Sequence, residues 1–173
     1  MRRPRSSLAR WGRGALAALV AVLALGAAGC GEEGASEEAM LTVYVSGPMR
    51  GPEAKQGQRR CDEAWDAAQV EREGEEARWV RVICLDATGP EGRWTLAKVG
   101  ANARRATEDS TTIAYIGEPD RAARRQSRPI LEAAGIVEFG VTGGRQAIEE
   151  VFAALREDDG SDPRQAVFDA VEG

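Results

Sequence analysis

Residues 79–107 read WVRVICLDATGPEGRWTLAKVGANARRAT and contain the repeating unit of the fold. The run Trp79–Leu85 is rich in β-branched and large apolar residues and ends before the turn pair Gly89-Pro90, which predicts a strand followed by a loop. The segment Thr95–Thr107 has apolar residues at helical spacing and starts at a threonine, a preferred N-cap residue. A strand, a loop and a helix in this order are the unit from which parallel sheets are built.

The same unit recurs on both sides of this stretch. The predicted strands are Leu41–Val45, Trp79–Leu85, Thr112–Ile116 and Ile136–Val141, and the predicted helices are Gly57–Glu73, Thr95–Thr107, Asp120–Ala134, Gln146–Arg156 and Pro163–Val171. Within the third helix, Pro129 predicts a kink, or a restart capped by Ser127. Alternating strands and helices indicate an α/β domain, a three-layer αβα arrangement around a parallel sheet with right-handed crossovers. Ligands of such sheets meet the loops beyond the carboxyl ends of the strands.

The composition limits both the architecture and the chemistry. The chain has 173 residues, of which 43% are apolar and 29% are charged, and this is typical of one globular domain. There is no histidine, so the commonest general base and metal ligand is absent. No dinucleotide or Walker fingerprint is found either. We therefore expect no enzymatic activity, no metal and no cofactor.

The first 39 residues predict an exported, lipid-anchored protein. Met1–Gly14 carries five arginines, and Ala15–Ala28 has no polar side chain and is too short to span a membrane as a helix. The following Gly29-Cys30 resembles the lipobox of bacterial lipoproteins, in which the cysteine is acylated and becomes the first residue after cleavage. An ordinary secretory leader with an incidental cysteine is the alternative.

The sequence then divides into a signal peptide over residues 1–29, a flexible acidic tether over residues 30–39 and a folded domain over residues 40–173. Cys30 is the predicted lipid attachment site, which places the protein on the extracytoplasmic face of the cell membrane. Without residues 1–29, 18 basic and 28 acidic residues remain, a charge of −10. A chain this acidic is a poor partner for nucleic acid.

Cys61 and Cys84 are the thiols left once Cys30 is acylated. In an oxidising compartment an even pair favours a disulfide, and the crossover from the first helix to the second strand brings both cysteines to the same end of the sheet. Two separate buried thiols remain the alternative, since the sequence alone does not define connectivity.

Four stretches resemble, in order and spacing, the type I periplasmic solute-binding proteins of branched-chain amino-acid ABC transporters. They are VYVSGP at residues 43–48 followed by Gln56-Gly57, DATGPEGRW at 86–94, VGANARRA at 99–106, and IAYIGE at 113–118 continuing to Pro129-Ile130-Leu131 and Ala134-Gly135-Ile136. Gly144–Val171 is similar to the C-terminal helical segment of that family. The family has two lobes, so the resemblance implies a single lobe of a periplasmic-binding-protein-like I fold with its closing helices.

The resemblance also implies where a solute would bind. In the family, the loop after the first strand and the turn after the third supply hydroxyls and helix N-terminal amides that suit an amino-acid carboxylate. Ser46, Gln56 and Thr142 are the candidates here, and each is also an ordinary turn residue. Where the family has serine or threonine after the third strand, this chain has Arg121 and Arg124.

Those two arginines, with Arg125 and Arg128, form either a cationic rim for an anionic ligand or a solvated face. Of the tryptophans, Trp65 and Trp79 fit core positions of a helix and a strand. Trp94 lies in a loop region and is the one that remains a candidate for stacking on a ligand.

Three functions are compatible with these observations. The first is a solute-binding lipoprotein that binds a small solute such as an amino acid, either weakly or with help from a second subunit that supplies the other wall. An ABC permease is a further candidate partner. The second is a structural or interaction lipoprotein that keeps the lobe but has lost solute binding. The third, a flavodoxin-like enzyme, is disfavoured by the absence of histidine and of a cofactor fingerprint.

Overall fold

The structure is a computed structural model that describes residues 40–72, 79–158, 160 and 162–172. The predicted leader, Cys30 and the tether lie outside the described residues. Four strands form one parallel sheet in the order β2-β1-β3-β4. They are β1 (Leu41–Gly47), β2 (Val80–Asp86), β3 (Thr112–Ile116) and β4 (Val137–Phe139).

Five helices surround the sheet. They are α1 (Ala54–Arg72), α2 (Leu96–Glu108), α3 (Arg121–Glu132), α4 (Gly144–Glu157) and α5 (Pro163–Glu172). The α1 helix packs on α4, and α2 packs on α3, while α5 lies against β3 and α4. Each α/β crossover returns the chain parallel to the preceding strand, so the predicted α/β class with a parallel sheet is confirmed.

Alternation along β1 separates two apolar layers. Val43 and Val45 are fully buried against residues of α1 and α4, whereas Tyr44 lies on the other face with Ala103 of α2 and Leu131 of α3. Side chains of successive strand residues point to opposite faces, so β1, which is buried at every position, is covered on both sides. The three-layer αβα arrangement predicted from the sequence is therefore present.

Several local boundaries differ from the prediction. The β4 strand is limited to Val137–Phe139. The α3 helix runs through Pro129 without restarting at Ser127, whose hydroxyl donates to the Ala123 carbonyl and to Glu138 instead of capping. Thr95 caps α2 as expected, accepting a hydrogen bond from the Lys98 amide at 3.4 Å.

Two predicted core tryptophans lie at the surface. The exposed fraction is 53% for Trp65 and 44% for Trp79, so the prediction that both belong to the core is wrong. The buried stripe of α1 runs through Arg60, Ala64 and Ala68 and leaves Trp65 on its flank. Neighbouring positions of a helix point about 100° apart, so an error of one position in the pattern is enough to move a side chain from the core to solvent.

A disulfide joins α1 to the edge strand β2. It links Cys61 to Cys84, whose Cα atoms are 6.0 Å apart and which are separated by 23 positions in the chain. Both cysteines pack against the apolar layer under α1. Among the described helices, none combines the length and the apolar character needed to cross a membrane.

Candidate functional site

A cleft lies at the carboxyl ends of β1 and β3. In the sheet, β2 lies on one side of β1 and β3 lies on the other. The order of the strands therefore reverses between β1 and β3. In open parallel sheets this reversal point is where loops separate and ligands bind. The cleft has a volume of about 300 Å³. It is lined by Gly47, Pro48, Glu53, Gln56, Gly57, Arg60, Trp94, Glu118, Pro119 and Asp120.

Close backbone packing brings α1 to the cleft. A Cβ at Gly57 would overlap the carbonyl oxygen of Pro48, so only glycine lets the helix approach the loop after β1 this closely. The helix then presents Gln56 and Arg60 to the space above β1. The glycine of the Gln56-Gly57 pair is thus a packing requirement, and Gln56 is the member that faces the cleft.

The floor of the cleft is a buried polar network centred on Glu118. This residue is 1% exposed, and its Oε1 accepts a hydrogen bond from the Ser46 hydroxyl at 2.8 Å. The Asn102 amide in turn donates to Ser46 Oγ at 2.9 Å. Within the described part of the chain, Glu118 Oε2 has no hydrogen-bond partner. Burial raises the pKa of Glu118, and the Ser46 hydrogen bond and the Arg60 charge oppose this rise.

Arg60 is the cation of the cleft. It is 7% exposed, and its Nη2 donates to the Thr142 carbonyl at 3.3 Å. Burial lowers the pKa of Arg60, and the nearby Glu118 carboxylate is the main opposing influence. A buried guanidinium and a buried carboxyl therefore face one cleft, and the unpartnered Oε2 of Glu118 is an acceptor that a polar solute can satisfy.

Asp120 closes the N-terminus of α3. Its Oδ1 accepts hydrogen bonds from the Ala122 amide at 2.6 Å and from the Ala123 amide at 3.4 Å. The resemblance implied that helix N-terminal amides at this turn suit a solute carboxylate. In this chain a carboxylate of the protein itself already occupies these two amides.

A second carboxyl, half-buried, lies on β4 outside the cleft. Glu138 Oε1 accepts a hydrogen bond from the Ser127 hydroxyl at 2.6 Å, and its Oε2 has no hydrogen-bond partner among the described residues. Burial raises the pKa of Glu138 to about 7, with a further contribution from the charge of Glu118. Glu138 is not among the residues that line the cleft.

The residues that the sequence predicted as ligand contacts do not all line the cleft. Gln56 and Trp94 line the cleft, and Ser46 lies under it as the partner of Glu118. Thr142 contributes its backbone carbonyl to Arg60 rather than its hydroxyl. Arg121 is exposed at the start of α3 and is not part of the lining.

The four arginines of α3 do not share one role. Arg124 is half-buried and lies against Gly140, where a Cβ would overlap its side chain. Arg128 pairs with Glu132 and, at 3.0 Å, with Glu172. The cationic rim expected along this helix is therefore reduced by contacts within the lobe.

Sequence reasoning missed Arg60 and Glu118 as site residues. A signal for Arg60 was present, since an arginine at helical spacing between Gly57 and Ala64 interrupts an otherwise small and apolar stripe. Glu118 directly follows β3 and Gly117, at the carboxyl end where sites of parallel sheets form. The described residues contain no group of three or more carboxylate or cysteine side chains placed to hold a metal ion.

Comparison with known proteins gives a single match to report. No protein-family model and no curated protein matches the chain. A solved structure described as a possible leucine/isoleucine/valine-binding protein from Rhodopirellula baltica SH 1 matches with a TM-score of 0.48 and 21% sequence identity. The match covers 66% of this chain and 31% of that protein, so the chain spans about a third of its length. A likeness of this size carries no inference about ligand or activity.

Proposed function

We propose that residues 40–172 form a solute-binding lobe of a lipid-anchored extracytoplasmic protein, and that a small solute of the amino-acid type binds in the cleft between β1 and β3. The observation that carries this proposal is the pair formed by Arg60 and Glu118, two buried groups of opposite charge that line one cleft at the reversal point of the sheet. Burying two such groups is costly, and a polar ligand is a reason for retaining them.

The cleft is open on one side, so the proposal includes a partner that covers the bound solute from that side. Its lining comes from loops and helix ends at one edge of one sheet. Sites for small molecules usually bury 70–90% of the ligand surface, which one edge of one lobe does not provide. A second subunit or an ABC permease would supply the opposite side, and the lobe alone would bind weakly.

An interaction lipoprotein is the second candidate, and one observation favours it. The α1 helix exposes Trp65 at 53% and Val70 at 64%. Exposed apolar side chains mark a contact site for another protein when they form one patch, and this candidate requires Trp65 and Val70 to belong to such a patch. In that case the cleft would be a remnant, and no small solute would stabilise the fold.

A ligand-dependent thermal melt separates the two candidates. The full chain, purified in a mild detergent, is melted alone and with amino acids and small organic acids. Any solute that binds the native state raises Tm in a concentration-dependent way. The variant Gln56→Ala should reduce that shift, whereas Gln58→Ala, on the same helix but outside the cleft, should leave it unchanged. A cooperative melt that no solute moves would contradict solute binding and favour the interaction candidate.

A further inference from the structure

We propose that the lobe recognises the ammonium group of its solute, which Glu118 Oε2 binds, and does not bind the solute carboxylate at the N-terminus of α3. The proposal rests on the proposed function of the cleft and adds the chemical class that the cleft selects. The resemblance to solute-binding proteins implied that the turn after β3 binds the negatively charged carboxylate of the solute, whereas in this proposal the site there binds its positively charged ammonium group.

The first support is the unused acceptor. Glu118 is 1% exposed and lines the cleft, and one of its two carboxyl oxygens has no hydrogen-bond partner among the described residues. A buried carboxyl oxygen without a donor is unfavourable, and a primary ammonium group supplies up to three donors together with the opposite charge. The other oxygen is held by Ser46, which keeps the carboxyl in place.

The second support is the occupied anion position. Asp120 Oδ1 accepts from the Ala122 and Ala123 amides, so these donors at the start of α3 are satisfied within the chain. A solute carboxylate arriving there would meet a carboxylate of the protein. Like charges at close range repel, and this disfavours an anionic head group at that point.

The third support is the charge of the lining. Glu53, Glu118 and Asp120 contribute three carboxyl groups against the guanidinium of Arg60, and of the three, Glu53 also pairs with Arg93 at 3.7 Å. Arg60 donates to the Thr142 carbonyl and lies close enough to Glu118 to oppose the rise of its pKa. We assign Arg60 the role of a positioning residue that favours the ionised form of Glu118.

This arrangement couples solute binding to protons. The charged or titratable groups that face Glu118 are Arg60 from α1, Tyr115 from β3 and Glu138 from β4. Burial raises the pKa of Glu118, so a bound proton competes with an ammonium group for the same oxygen. Solute affinity should therefore fall as the pH is lowered.

The test uses probes that differ in which charged group of the amino acid they keep. Free amino acids are compared with their amides, which keep only the ammonium group, and with their N-acetyl forms, which keep only the carboxylate. Alanine, leucine and phenylalanine serve as side chains, at one ionic strength, with the full chain in detergent and Tm and titration calorimetry as readouts. We expect the free amino acids and the amides to bind and the N-acetyl forms to be at least about tenfold weaker.

Two glutamates that each accept a hydrogen bond from a serine provide the matched variants. Glu118→Gln keeps an oxygen for the Ser46 hydroxyl but removes the charge, and should weaken binding of the amides at least about tenfold. Glu138→Gln removes a half-buried carboxyl that lies outside the cleft, and should leave the preference for the amides unchanged. The probe series on the unsubstituted chain gives an answer even if a variant does not fold.

The outcomes separate this proposal from the proposed function. Binding of the N-acetyl forms as tight as that of the amides would overturn ammonium recognition and leave solute binding standing. Retention of amide binding by Glu118→Gln would also overturn it. The absence of any response to all probes would contradict both proposals.

Discussion

The Ser127 hydroxyl donates a hydrogen bond to Glu138 Oε1 at 2.6 Å, and this pair repeats the arrangement of Ser46 and Glu118. In both pairs a serine from a neighbouring element satisfies one carboxyl oxygen, and the other oxygen has no hydrogen-bond partner among the described residues. The two pairs differ in access, since only Glu118 lines the cleft. The two pairs therefore differ in their position relative to the cleft, and in our proposal the solute binds Glu118 alone.

The substitution Glu138→Gln should flatten the pH dependence of stability. The folded-state pKa of Glu138 is about 7, above its ordinary value of 4.5. The native state therefore keeps a proton that the unfolded state releases, and the resulting stabilisation is lost as the pH rises from about 4.5 through 7. At pH 8 we expect the variant to gain about 1–2 kcal/mol in free energy of unfolding relative to the original chain, and much less at pH 5.

Urea unfolding at pH 5, 6, 7 and 8 measures this difference. Glu132→Gln is the control, because its carboxylate is exposed and paired with Arg128. A difference between Glu138→Gln and the original chain that is equal at pH 5 and pH 8 would contradict the prediction.

Reduction of the Cys61–Cys84 bridge should destabilise the lobe by about 3 kcal/mol, since the bridge closes a loop with a separation of 23 positions. Denaturant unfolding with and without a reductant checks this. The double variant Cys61→Ala/Cys84→Ala should match the reduced chain and show no further response to reductant. If labelling of the oxidised, denatured chain finds two reactive thiols at these positions, the bridge is absent.

The substitution Gly144→Ala should cost about 1–3 kcal/mol, because a Cβ at Gly144 would overlap the carbonyl oxygen of Arg60 where α4 crosses α1. The neighbouring Gly143 is the matched control. Its φ is −66°, and the nearest atom to a Cβ there is Glu63 Oε2 at 3.7 Å, so Gly143→Ala should be nearly neutral. Thermal unfolding of both variants gives the comparison, and equal losses of stability would show that the crossing does not depend on Gly144.

The substitution Asp86→Asn should destabilise the lobe at pH 7 and have little effect below about pH 2. Burial by itself raises the pKa of Asp86, but hydrogen bonds from Thr88, from the Met49 amide and from Arg50 outweigh it and lower the pKa to about 2. The ordinary value is 3.8, so this stabilisation is present above about pH 4 and is lost as the pH falls toward 2.

Because the Asp86 side chain is 30% exposed and that of its partner Arg50 is 73% exposed, we expect a loss of about 1 kcal/mol at pH 7. Chemical unfolding at pH 7 and at about pH 1.5 measures it. The control is Glu53→Gln, whose carboxylate pairs with Arg93 at 3.7 Å near the surface and should change stability little. A loss that persists at the lower pH would indicate that the charge of Asp86 is not the cause.

Local pattern was sufficient for much of the architecture. The run LTVYV at β1 and the run WVRVICL at β2 are recognisable because adjacent β-branched and aromatic residues favour extended backbone. Thr95 was identifiable as a cap because its side chain acts on an amide three residues away. Features of this kind depend on neighbours in the chain, so the order of strands and helices and the parallel class follow from the sequence.

The composition of the cleft depends on residues that are far apart in the chain. Ser46, Arg60, Asn102 and Glu118 come from β1, α1, α2 and the end of β3, and they meet because β3 pairs with β1 rather than with β2. The same non-local packing leaves Trp65 exposed. The order of the strands and the side of each helix that packs on the sheet depend on the apolar surface buried in the whole lobe. Only the tertiary structure therefore decided which charged residues share the site.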